Sequence, residues 1–167
     1  MSGGSISRFM QQQGFSTEAP PALRSHFHAL LFQPWIVGPL MLIAIILQSR
    51  TLFFALAAVL VWNAALPRWN PFERLFDRLI GRQRGFLPLS PAPAPRRFAQ
   101  GMAATFMLLA GLALSWHWQA AAYVFEAMLV MAFAALLGAR FCLGAYIYHL
   151  LHGRTQFANA TCPWAGD

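Results

Sequence analysis

The stretch "RFCLGAYIY", residues 140–148, places Cys142 beside an arginine, Arg140, at the end of a long apolar run. A thiol there is either a nucleophile or redox group, if its thiolate is stabilised, or a small apolar residue where helices meet. Glu126 is the one acid inside the apolar stretches. A carboxylate at bilayer depth costs about 2.5–3.5 kcal/mol on insertion scales, so it requires a partner or a task. Arg50 and His117 belong to the same side of the chain. The expected arrangement pairs Glu126 with Arg50 or with a partner subunit, and a proton or quinone site is the functional alternative. His149 and His152, spaced i, i+3, are candidate metal ligands, and one buried histidine could ligate a haem or a chlorophyll-type pigment. Without a third ligand of known position they define no centre, so no metal and no cofactor are expected. A Gly-rich phosphate loop, a nucleophile elbow and paired catalytic carboxylates are all missing from the sequence.

The elements that must hold these residues are apolar. Hydrophobic residues make up 58% of the 167, and charged residues only 10%, where a soluble domain carries roughly 25% charged. There is too little polar surface to cover a core in water, which points to one compact membrane domain. The formal charge is +7, carried by arginine without lysine. Because the arginines concentrate in one loop between apolar stretches, they point to anionic lipid headgroups rather than nucleic acid. Two cysteines, Cys142 and Cys162, are too few for a disulfide framework and fit no zinc spacing. Residues 1–28 read as a polar leader, disordered or lying along a partner, with no signal-peptide pattern. Residues 154–167 read as a C-terminal tail.

Four apolar stretches follow the leader, at about 29–47, 51–66, 98–116 and 120–151. A spanning helix needs about 20 apolar residues, so the last two qualify and the first two are marginal. With only Gln48, Ser49 and Arg50 between them, the first two read as a tight helical hairpin that crosses, or as a re-entrant one that does not. Pro34 and Pro39 should kink the first stretch or delay its start. The expected fold is all-α, four transmembrane helices in an up-down bundle.

The connection 67–97 holds Arg68, Arg74, Arg78, Arg82, Arg84, Arg96 and Arg97, seven of the twelve arginines. The positive-inside rule places this loop, and with four spans both termini, in the cytoplasm. Trp35, Trp62 and Trp69 then fall near the inner interface, and Trp116 and Trp118 near the outer one. Arg140 lies about 30 Å of helix from Ala120, one membrane thickness, and is expected to snorkel as an anchor. Within the loop, "NPFERLFDRLIG" predicts an amphipathic helix capped by Asn70, with Pro71 at its first position and Glu73 completing a capping box. Phe72, Leu75, Phe76, Leu79 and Ile80 share one face. That face is expected to lie in the headgroup layer or on the protein's own spans. "LPLSPAPAPRR" predicts an extended proline strap. Gly111 with Ser115, and Ala134 with Gly138, are small-xxx-small pairs that favour close helix contact.

The strings "LPRWNPFERLFDRLIGRQRG", "PAPAPRRFAQG" and "FCLGAYIY" resemble an uncharacterised bacterial family of small four-helix integral membrane proteins over roughly residues 30–153, with Arg97-Phe98-Ala99-Gln100-Gly101 the most specific part. Members of that family commonly carry Cys-x-x-Cys where this chain has Cys142-Leu143-Gly144-Ala145. The resemblance implies the fold, and for members with both sulfurs it implies thiol chemistry. Ala145 replaces the second cysteine here, so Cys142 is expected to be structural. The function expected from the whole sequence is a non-catalytic accessory subunit of a larger membrane assembly, with a respiratory or photosynthetic electron-transfer complex as a plausible host. The alternatives are a membrane thiol or quinone redox component using Cys142, or a small transporter.

Overall fold

The computed structural model describes residues 3–15, 20–82, 85 and 91–162. The chain is all-helical, with no strand among the described residues. Helix α1 spans Gly3–Gln12, α2 Pro20–Ile46 and α3 Arg50–Ala65. A 3₁₀ turn at Pro67–Trp69 leads into α4, Pro71–Phe76, which widens into a π-helical turn over Asp77–Gly81. Then come α5 Ala94–Ser115, α6 Gln119–Gly138, α7 Leu143–Leu151 and α8 Thr155–Ala160. Among the described residues, three stretches are long and apolar enough to cross a membrane: His26–Ile46, Ala94–Ser115 and Gln119–Gly138. The segment from α3 through Gly81 adds a fourth if it is one broken span, bent by 118°. By helix rise, the sixteen residues of α3 reach about 24 Å.

Several helices end on the same left-handed stop. Gly14, Gln48, His117 and Gly153 all have positive φ. In each case the next residue's N–H reaches back five positions, as in Ser49 to Ala44, Trp118 to Ala113 and Arg154 to His149. This is the Schellman closure, which satisfies carbonyls a helix end leaves bare. Ser49 then caps α3, its Oγ accepting from the Leu52 N–H at 3.4 Å. Two turns thus fold the chain back on itself at one end of the bundle.

α5 is the central helix and packs on α3, α6 and α7. The core joins Val37 and Met41 of α2, Phe53 and Leu60 of α3, Met107 and Ala110 of α5, and Leu129 of α6. Gly111 admits the Phe54 ring, which would lie 2.8 Å from an added Cβ. The small pair Gly111/Ser115 therefore does serve helix contact. Ala134 and Gly138 are exposed instead, and nothing lies within 4 Å of where a Cβ on Gly138 would sit.

Four expectations change. The apolar stretch 120–151 is two helices rather than one: α6 stops at Gly138, Arg140 adopts φ +53°, and Phe141 N–H closes on Ala135 O at 3.0 Å. The first span starts earlier than expected and runs through Pro34 and Pro39, with Pro20 opening the helix, a position that suits its fixed φ. The leader is partly structured: Ile6, Phe9 and Met10, spaced i, i+3, i+4, form an apolar face on α1 that packs against Phe27 and Leu30. The strap is shorter than expected, because α5 begins at Ala94 and takes Pro95, Arg96 and Arg97 into its first turn. Residues 86–90 of that strap lie outside the described residues.

The amphipathic helix forms as its cap predicts. Asn70 Oδ1 accepts from Phe72 N–H at 3.0 Å, and Asn70 Nδ2 donates to Glu73 Oε1 at 3.1 Å. Its apolar face divides: Phe76 is buried edge-on to Phe32 of α2, while Leu75 and Leu79 stay exposed.

Candidate functional site

Arg96 is not the surface anchor expected of it. It is buried, facing Glu73 Oε1 at 3.7 Å. Its neighbour Arg97 takes the surface and donates Nε–H to Ala64 O at 2.7 Å. The physical reason is helical phase: adjacent residues in the first turn of α5 point about 100° apart, and here Arg96 turns inward while Arg97 turns to the surface. Burial pushes the Glu73 carboxyl above its usual range, against the opposing pull of the Arg96 charge and the Asn70 amide.

Cys142 precedes α7 and is also buried. Its backbone N–H donates to Gln12 Oε1 of α1 at 2.9 Å. Burial pushes its thiol up, and this outweighs the backbone N–H of Ala145, the Gln13 side chain, the Arg96 charge and the backbone of Gly144, all of which favour the thiolate. α7 reaches this place only because Gly144 touches α5. A Cβ there would sit 2.6 Å from Ala99 Cα.

Arg96 and Cys142 both line a cavity of about 100 Å³. Gln13, Gln33 and Gln100 line it too, together with apolar residues such as Val37, Phe106, Leu129 and Phe133. Gln100 Nε2 donates to Gln33 Oε1 at 3.0 Å, while Gln100 Oε1 is buried without a partner. The cavity presents a predominantly apolar surface, beside a thiol whose pKa burial raises.

The other residues singled out in the sequence fall elsewhere. Glu126 is buried and accepts from Gln48 Nε2 at 3.1 and 3.2 Å, while Arg50 is exposed and makes no ion pair with it. The left-handed turn at Gln48 aims the amide across at α6, a placement that sequence spacing does not reveal. His149 is buried with Nε2 3.0 Å from Gln12 O, whereas His152 is exposed and stacked on Tyr148 at 4.0 Å. The two imidazoles are thus engaged separately, and no group of three or more His, Cys, Asp or Glu placed to hold a metal occurs among the described residues. Arg74 is exposed over the Trp69 ring at 4.4 Å, Arg78 and Arg82 are exposed, and Arg140 lies 5.3 Å from the Phe27 ring centre. Trp35, Trp116 and Trp118 are all more than half exposed, the last two with rings 5.5 Å apart.

The sequence reading missed four buried glutamines: Gln12, Gln13, Gln33 and Gln100. Two carried a signal. Gln33 interrupts an apolar run, and Gln100 sits in the string "RFAQG". Neither curated proteins nor solved structures gave a match to the chain. A family model described as a domain of unknown function, DUF4395, matches residues 28–152, three helical spans together with the Arg96 and Cys142 elements, and the chain belongs to that family.

Proposed function

We propose that this chain is an integral protein of the bacterial inner membrane, crossing it four times, that works as a non-catalytic subunit of a larger membrane assembly. One observation carries the reading. Of the apolar window in α6, only 17% is buried against the chain itself. Tyr123, Val124 and Met131 project outward from it, and so large an apolar face needs lipid or partner helices around it. The exposed arginines at one end, Arg68, Arg74, Arg78, Arg82 and Arg97, fit anionic headgroups and support a cytoplasmic loop 67–97 with both termini on that side. Both described cysteines are free and buried, which supports a role other than dithiol turnover.

The test places a photo-crosslinking residue at Val124 or Met131 in native membranes. Stoichiometric adducts to a multi-pass partner, recovered with it in mild detergent, are the expected result. Adducts to lipid alone would overturn the subunit reading. A second reading, a thiol or quinone redox component, draws on the Arg96 charge and the Gly144 and Ala145 backbone around the Cys142 sulfur. A mixed disulfide between Cys142 and a thioredoxin-like partner would support it.

A further inference from the structure

We infer that the outer side of α4, with the elbow that leads into it, is a binding site for the headgroup of an anionic phospholipid. The inference rests on the reading of the chain as an integral membrane protein, and it takes that reading from a trend in charge to a particular site.

The site begins with charge that the fold leaves over. Every described carboxylate is already engaged. Glu73 faces the buried Arg96 at 3.7 Å, Asp77 faces Arg82 at 3.6 Å, and Glu126 accepts from Gln48. Arg68, Arg74 and Arg78 are exposed, and no carboxylate among the described residues pairs with them. Arg74 is also held in place. Its guanidinium lies 4.4 Å over the Trp69 ring, and the Trp69 carbonyl accepts from Trp62 Nε1–H at 3.3 Å. A guanidinium fixed in this way loses little freedom on meeting a phosphate, and its fork can grip two phosphate oxygens at once.

Apolar residues stand beside the charges. Leu75 and Leu79 directly follow Arg74 and Arg78 and are exposed with them. The inner side of the helix is taken by Phe76 against Phe32 of α2. A free anion would meet the arginines and leave the leucines in water. A phospholipid meets both, with a phosphate for the guanidinium and acyl carbons for the leucines. The surrounding surface sets both at one level. Exposed Val61, Trp62 and Leu66 carry an apolar surface to the end of α3, and the segment after it turns by 118°. A helix turned that far leaves the crossing and lies nearer the membrane plane, where headgroups are.

The purified full-length protein in neutral detergent is titrated with dioleoylphosphatidylglycerol or with dioleoylphosphatidylcholine, and bound lipid is counted by native mass spectrometry. Phosphatidylglycerol should bind at least ten-fold more tightly. An arginine near an anionic surface is worth about five-fold in affinity. Arg74→Gln combined with Arg78→Gln should therefore erase the preference. Arg78→Gln alone should cost about five-fold, and it decides the matter if the pair does not fold. Arg50→Gln combined with Arg154→Gln removes the same charge from exposed positions elsewhere and should leave the preference intact. Inorganic phosphate should not displace the lipid. Equal binding of the two lipids would overturn the proposal and leave the arginines to an acidic protein partner. Equal loss in the control pair, or displacement by inorganic phosphate, would overturn it too. None of these results touches the subunit reading, which stands or falls on the adducts at Val124 and Met131. Recovery of the chain with soluble protein on cell fractionation would instead remove the membrane reading and this site together.

Discussion

Gly144→Ala is the sharpest test of how Cys142 is held. α7 meets α5 through the backbone of Gly144, and an added Cβ would lie 2.6 Å from Ala99 Cα and 2.7 Å from Ala99 Cβ. The first of these atoms is backbone, so no side-chain rotation can relieve the clash, and the two helices must separate. Overpacking of this kind costs about 1–3 kcal/mol. Alanine's better helix propensity returns at most about 1 kcal/mol. Gly101 is the matched control: it too is helical, on α5, and nothing lies within 4 Å of its would-be Cβ. Gly101→Ala should therefore leave stability unchanged or raise it by about 0.5–1 kcal/mol. Thermal unfolding of the purified protein in one detergent compares them. For a chain of this size each kcal/mol shifts the midpoint by roughly 2–4 °C. Gly144→Ala should melt several degrees below the parent, with faster alkylation of Cys142, while Gly101→Ala melts at or above it. Equal midpoints for the two variants would refute the close approach of α5 and α7.

Glu126→Leu removes the carboxylate acceptor of the Gln48 amide, which keeps its bond to Ile45 O at 2.8 Å, and should cost about 1 kcal/mol or more in the same melting assay, whereas Arg50→Ala should fall within about 0.5 kcal/mol of the parent; the reverse order would restore the Arg50 pairing. Alkylation of Cys142 should be slow at pH 7 and keep accelerating past pH 9, because burial raises its thiol; a rate plateau below pH 8 would contradict that burial. The linked stability has a definite sign. A thiol raised in the folded state stabilises fully below the unfolded value of 9.0, and that contribution is lost as pH climbs through the raised value. Cys142→Ala should flatten the decline in melting temperature above pH 9. Phe9→Ala, in the face α1 packs on Phe27, should cost about 3–5 kcal/mol and speed Cys142 modification, since α1 carries Gln12 and Gln13 onto that site; an unchanged rate would show that α1 does not cover the thiol.

Composition and periodicity by themselves determined the class of this protein. Few charges and long apolar stretches point to helices long and apolar enough to cross a membrane, and the described residues form such helices. The Asn70 cap and the α4 face were also legible, since capping and amphipathic spacing act within a few residues. Family membership, carried by strings such as "RFAQG", was legible for the same reason. What only the tertiary structure decided were contacts between residues far apart in sequence. Arg96 and Arg97 are indistinguishable as letters, and the phase of α5 alone buries one and exposes the other. Glu126 could be recognised as needing a partner, but the left-handed turn at Gln48 chose which. The run 120–151 is continuous in hydropathy yet broken at Arg140, because the left-handed turn falls on Arg140 rather than on the neighbouring Gly138. The cavity joins Gln13, Gln33, Gln100 and Cys142 from four segments, and no local pattern records that they meet.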